Sequence, residues 1–180
     1  MSDILLISAT ATEHGEDNLF GIPIHIIGIG KVNAAINTYK LIKEYSPTHV
    51  INFGSCGNLK NHKVGEVITV GEVYDDFYGS IIPNHHPIKV SHSPYKLFTT
   101  DTFYDADNYY SLHYNEMIKK CDLVDMEGYS ITKVCKDENV FVSLYKWVSD
   151  DGESHKWEEN AKVGYDKFKK VFKEWLEQQK

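Results

Sequence analysis

The chain of 180 residues predicts a three-layer αβα sandwich built on a mostly parallel, mixed central sheet. Apolar, β-branched runs recur through its first 150 residues, and several are apolar at nearly every position, the pattern of strands covered on both faces. Stretches with helical spacing separate these runs, and alternating strands and helices pack as a sheet between two helical layers. The length suits one domain with a real core, so residues 1–180 are read as a single domain.

Taken in order, "ILLIS" (4–8), "IPIHIIGIG" (22–30), "HVINFG" (49–54), "EVITVGEV" (66–73) and "VFVSLYKWV" (140–148) read as strands. Between the second and third lies a helix on which Val32, Ala35, Ile36, Tyr39, Ile42 and Tyr45 fall at apolar spacing. Helical spacing returns over 108–119 and 127–138. Near the C-terminus Trp157, Ala161, Tyr165, Phe168, Phe172 and Trp175 form one apolar stripe, read as a helix packed on the sheet. The segment 79–98, rich in proline and histidine, is predicted to be an irregular connection.

Composition narrows the function. A formal charge of −7 argues against a nucleic-acid binder, which needs a basic face, but leaves room for a single nucleoside. There is no run of 18 apolar residues and no basic n-region ahead of an apolar stretch, so neither a membrane span nor a signal peptide is expected. Cys56, Cys121 and Cys135 make an odd count without metal-ligand spacing, which fits a reducing cytoplasm better than a disulfide framework.

In open α/β sheets, ligands bind beyond the carboxyl ends of the strands. Glu13, the "GSCG" stretch at 54–57, Glu127 and Asp150 each follow an apolar run by a few residues, so four segments converge on one sheet edge. The glycine pair of "GIGKVNAA" lacks the third glycine of a dinucleotide fingerprint, Asn33 standing there, and a tight strand-to-helix turn explains it. "GSCG" reads as a second glycine turn ending a buried strand, whose N–H groups and Ser55 could face a polar ligand. His85 and His86, with His92 nearby, lack a carboxylate pair spaced to join them, and no metal is expected there. In "WVSDDGE", one of Asp150 and Asp151 could be a helix cap, or an acid kept neutral by partial burial and able to donate a proton. Asp125 and Glu127, in "DLVDMEGYSITKVC", sit where a strand hands over to a helix; there the first-turn reading competes with a binding role for Glu127.

Together "GIGKVNAA", "VINFGSCG", "VGEVITVGEV", "TTDTFYD", "VDMEGYSI" and "FVSLYKWVSDDGE" resemble, in order and over most of the chain, the purine nucleoside phosphorylase and nucleosidase superfamily. The resemblance is greatest to the branch that hydrolyses 5′-methylthioadenosine and S-adenosylhomocysteine. In that branch "IN" precedes the glycines, as Ile51 and Asn52 do here, where the hexameric phosphorylases carry a phosphate-binding arginine. The resemblance implies water as the nucleophile and neither metal nor organic cofactor. It further implies that Glu13 positions and activates water, that Glu127 grips the ribose hydroxyls with Met126 beneath the sugar, and that Phe103 stacks on the base. The Tyr104 backbone would address the purine edge, and Asp150, oriented by Ser149, would protonate the purine at N7. Ser55 would contribute to the substrate site. Lys146 stands where the nucleosidases usually carry an arginine near the water. Relative to the family the region 79–122 is compressed, and a homodimer or larger homo-oligomer is implied. Phosphate-dependent cleavage, a nucleosidase for another purine conjugate of futalosine type, and a non-catalytic nucleoside binder are the rival readings.

Overall fold

The computed structural model describes residues 3–76, 86–107 and 111–179. Among the described residues ten strands form one mixed sheet: β1 (Ile4–Ser8), β2 (Asn18–Leu19), β3 (Ile22–Ile26), β4 (His49–Asn58), β5 (Val67–Thr69), β6 (Glu72–Asp75), β7 (Ile88–Lys89), β8 (Lys96–Thr99), β9 (Leu123–Asp125) and β10 (Phe141–Asp150). The helices are α1 (Lys31–Tyr45), α2 (Leu112–Lys120), α3 (Gly128–Asp137), α4 (Ser154–Asn160) and α5 (Tyr165–Gln178), and a 3-10 turn spans Ala11–Glu13. Among the described residues no helix is long and apolar enough to cross a membrane.

β1, β3, β4 and β10 run parallel as neighbours, as do β6, β8 and β9; the pairs β2–β3, β4–β9, β5–β10 and β6–β7 are antiparallel. Strand alternation divides the side chains between two layers. Leu5, Ile7, Val50, Leu144 and Val148 meet Ala34 and Ile42 of α1 and Ile131 and Cys135 of α3. Leu6, Ile51, Phe53, Tyr145 and Trp147 meet Phe168 and Phe172 of α5 on the other side. Phe168 lies stacked on Phe53 at 4.6 Å between centroids, and its truncation to alanine would cost about 3–5 kcal/mol. α2 closes a smaller cluster, its Met117 packing with Tyr74, Phe98 and Val124. The apolar runs without alternation are therefore strands covered from both sides.

Several expectations need correction. β4 does not end at a glycine turn: it continues to Asn58, and "GSCG" stays paired with β10, Gly54 opposite Lys146 and, after a one-residue shift past Val148, Gly57 opposite Asp150. "EVITVGEV" is two strands, because the chain breaks at Gly71, where an added Cβ would lie 1.8 Å from the Ser93 carbonyl oxygen. The C-terminal stripe is not one helix, since α4 ends before Gly164, which sits so close to the Trp147 ring that a Cβ would meet it at 2.2 Å. On α1 the buried face is Ala34, Thr38 and Ile42, whereas Val32, Ile36, Tyr39 and Tyr45 of the expected stripe are exposed. Of the expected irregular connection 79–98, positions 79–85 lie outside the described residues, Ile88–Lys89 is the short strand β7, and its last residues, from Lys96, begin β8, too short to show a pattern. His85 and positions 108–110 of the expected helix lie outside the described residues.

Candidate active site

At the carboxyl ends of the strands a cleft enclosing about 650 Å³, solvent at its mouth included, is lined by Glu13, Ser55, Phe103, Tyr104, Met126, Glu127 and Asp150. Seven of the nine residues singled out from the sequence therefore share one cavity; Ser149 and Lys146 sit behind its wall. Ala9, Thr10, Ile29, Cys56, Gly57, Thr102, Val124, Asp125 and Trp157 complete the lining.

Glu13 is brought in by the 3-10 turn that follows β1, and it is buried. Its Oε1 accepts from the Ser55 amide and the Ser55 hydroxyl, both at 2.7 Å, and its Oε2 accepts from the Ser8 hydroxyl at 2.7 Å. The carboxylate lies flat on Gly54, where a Cβ would stand 2.8 Å from both oxygens. The close approach that glycine permits here thus serves a carboxylate of the chain itself.

Glu127 lies just ahead of α3, and its Oε1 accepts from the Gly30 amide at 2.9 Å. The glycine turn before α1 is thereby anchored to the cleft. Burial, then the charge of Asp125, pushes the Glu127 carboxyl from the ordinary 4.5 up to about 8, against the pull of Lys146 and the Gly30 N–H. Asp125 answers the question its position raised: it accepts from the Gly128 amide at the start of α3, from the Thr99 hydroxyl, and from Lys146 Nζ at 2.9 Å. It is both a helix-start acid and the partner of a buried ammonium. Lys146 is 2% exposed and points into the α3 side of the sheet, so it meets Asp125 below the cleft and does not enter the lining. Burial opposes its charge, but Asp125, Glu127 and Glu13 outweigh it and hold the ammonium well above its ordinary range.

Asp150 ends β10 after an irregularity in its register with β4. Its Oδ2 accepts from the Ser149 hydroxyl at 2.7 Å and its Oδ1 from the Gly152 amide at 2.9 Å. Burial raises the carboxyl's pKa although both bonds favour the anion, which is the direction a proton donor needs. Asp151 is exposed and accepts from Asn58. Gly152, at φ +90°, lets the 101–107 loop press on this turn, where Ala106 N–H donates to the Gly152 carbonyl. Phe103 stands on that loop, 38% exposed, an open aromatic face at the cleft. Asp101 of the loop pairs with Lys31 of α1, which also meets Asp75 and Asp76.

Sequence reasoning missed Trp157, which was assigned to the core stripe. It lines the cleft and its Nε1 donates to Ser55 Oγ at 2.9 Å. The "AKVG" break at 161–164 was the available signal, since it separates Trp157 from the helix that carries Phe168 and Phe172. Among the described residues no group of three or more His, Cys, Asp or Glu is arranged to hold a metal.

A model of the phosphorylase superfamily matches residues 10–107. The 5′-methylthioadenosine/S-adenosylhomocysteine nucleosidase of an Exiguobacterium species is 45% identical over 65 residues, 36% of this chain and 24% of the relative. That of Bacillus subtilis is 39% identical over 70 residues, 38% of this chain and 26% of the relative. The match thus spans about a quarter of the length of these curated relatives. Among solved structures, the nucleosidase of the same name from Helicobacter pylori, bound to butyl-thio-DADMe-Immucillin-A, superposes with a TM-score of 0.80 over 99% of both chains at 18% identity. Futalosine hydrolase of Helicobacter pylori gives 0.80 over 97% of both chains at 17% identity. At such identities the likeness establishes the fold.

Proposed function

This chain belongs to the phosphorylase superfamily, and on that premise we propose that it hydrolyses the N-glycosidic bond of purine nucleosides, 5′-modified adenosines of the methylthioadenosine/S-adenosylhomocysteine type, releasing the free base and the ribose moiety. One observation carries the choice of water over phosphate. The described lining of the cleft holds four carboxylates, Glu13, Asp125, Glu127 and Asp150, and no lysine, arginine or histidine. Such a wall offers a phosphate dianion no cation to pair with, while its carboxyl groups favour a sugar that becomes cationic as its bond to the base breaks.

The roles follow from what the reaction needs. Glu127 faces the ribose hydroxyls and gains strength as the sugar becomes positive, so it favours the transition state over the bound substrate. Met126 supports the sugar and Phe103 stacks on the purine, with the Tyr104 backbone at its edge. Asp150, held by Ser149, gives its proton to N7 as the electrons of the broken bond flow into the base. Glu13 takes a proton from the attacking water, and Ser55 holds Glu13 in place. Lys146 acts from behind the wall, on Asp125.

The protein is further read as a homodimer or larger homo-oligomer. Val32, Ile36 and Tyr39 form an exposed apolar face on α1, continuous with Ile29 at the cleft. A cytoplasmic site of action accords with three buried, unpaired cysteines.

The test is base release from adenosine, 5′-methylthioadenosine, S-adenosylhomocysteine, inosine and guanosine, with and without phosphate. Cleavage of the 5′-modified adenosines without phosphate is expected. Release only with phosphate would move the protein to the phosphorylases, and binding without release would make it a nucleoside binder. Asp150→Asn is expected to slow release by roughly 10²–10⁴-fold while leaving ligand affinity nearly unchanged.

A further inference from the structure

We propose that Trp157 is a positioning residue that fixes the single proton of the Ser55 hydroxyl on Glu13 Oε1 and so leaves Oε2 as the oxygen that takes the proton from water. The inference rests on the hydrolytic reading above and deepens it.

A serine hydroxyl has one proton and two acceptor sites, and free to rotate it could donate in several directions. An indole N–H only donates, so the Trp157 Nε1–H at 2.9 Å occupies an acceptor site of Ser55 Oγ and turns its proton elsewhere. The partner in reach is Glu13 Oε1 at 2.7 Å. That oxygen also accepts from the Ser55 amide at 2.7 Å, which fills both of its lone-pair positions. Oε2 accepts only from Ser8 Oγ among the hydrogen bonds observed, which leaves one lone pair for water.

The step balances. Water loses a proton to Glu13 Oε2 while its oxygen bonds to the anomeric carbon. The bond from that carbon to the base nitrogen breaks, its electron pair enters the purine, and Asp150 supplies the proton that the base takes up. Trp157 follows Asp150 by a few residues, through the Gly152 turn, so the segment that holds the acid also reaches across to orient the base.

Two measurements test this. Kinetically, Trp157→Phe keeps a ring of similar bulk but removes the donor; kcat should fall about tenfold, the worth of one hydrogen bond to a charged system, with KM changed by less than about threefold. Ser55→Ala should show the same split, and the double variant should be no slower than Ser55→Ala alone, because both remove one relay. Multiplicative losses, or a Trp157→Phe effect confined to KM, would overturn the proposal and leave Trp157 as a wall of the cleft. Independently of turnover, the indole ¹⁵N–¹H resonance of Trp157, assigned by its loss in Trp157→Phe, should be slow to exchange with solvent and should move in both Ser55→Ala and Glu13→Gln. A resonance indifferent to both changes would sink the relay even in a protein that cleaves nucleosides. If the resonance moves but no nucleoside is cleaved, the Trp157–Ser55–Glu13 hydrogen bonds stand, but the hydrolytic reading fails and with it the role of Oε2 toward water.

Discussion

Glu13 and Glu127 are both buried glutamates facing the same cleft, and they are held by opposite means. Glu13 is surrounded by donors: two hydroxyls and an amide converge on it, and Gly54 makes room for both oxygens. Glu127 has the Gly30 amide and a neighbouring carboxylate, and shares one ammonium with Asp125 from a distance. The first arrangement fixes a carboxylate in place before any ligand arrives. The second leaves a carboxyl that gives up its proton near pH 8, so that a cationic partner has most to offer it. Hydrogen-bond donors confer position, and unshared negative charge confers appetite for a cation.

The comparison can be broken from either side. The largest effect is expected on the Glu127 side from Lys146→Met, which leaves Asp125 buried without its counter-charge and should cost about 3–5 kcal/mol in urea unfolding. Lys146→Arg, which keeps the charge, should lose much less. Glu127→Gln retains an acceptor for the Gly30 amide and removes a repelled charge, so stability should hold or rise at pH 8. Its kcat/KM should nevertheless fall by roughly 10²–10³-fold, the scale of losing one electrostatic stabiliser of the transition state. Unaltered kcat/KM would remove Glu127 from the sugar site. On the Glu13 side, Gly54→Ala forces the carboxylate off its seat, and a loss of about 1–3 kcal/mol of stability with slower turnover at similar KM is expected.

A last test sharpens the contrast through pH. The folded protein holds Glu127 protonated up to about pH 8, whereas the unfolded chain loses that proton near 4.5. Between these values the native state binds the extra proton, so this group's contribution to stability is fully present below 4.5 and is lost as pH rises through about 8. The slope is at most about 1.4 kcal/mol per pH unit for one proton, and it should be missing from Glu127→Gln when melting is followed across this window. In kcat/KM the same titration should appear as a rise toward pH 8, because the anion is the working form, and that rise should be absent from Glu127→Gln.

Much of this site was legible in the chain. β1 and α1 are bounded by their apolar period and by the glycines before Lys31, and Asp150 and Glu127 stand where apolar runs stop. The misreadings share a cause. Glycines 54 and 57 look like a turn because glycine is usually a turn residue; only the neighbours, Glu13 above one and Val124 against the other, explain glycine within a strand. Trp157 looks like core because an aromatic at helical spacing usually is, and its role depends on a serine 102 positions away. The stripe on α1 was periodic as expected, yet periodicity cannot say which face turns inward when Ala34 and Thr38 are as able to pack closely as Val32 and Ile36.

The sequence by itself determined the layered α/β fold and the delivery of Glu13, Glu127 and Asp150 to one sheet edge, because period and strand ends are local properties of the chain. Only the tertiary structure decided which donors each carboxylate meets, that Lys146 answers Asp125 beneath the cleft, and that Trp157 turns toward Ser55. Those are contacts between distant segments, and their strength depends on burial, distance and the number of protons a hydroxyl can give, none of which a local pattern contains.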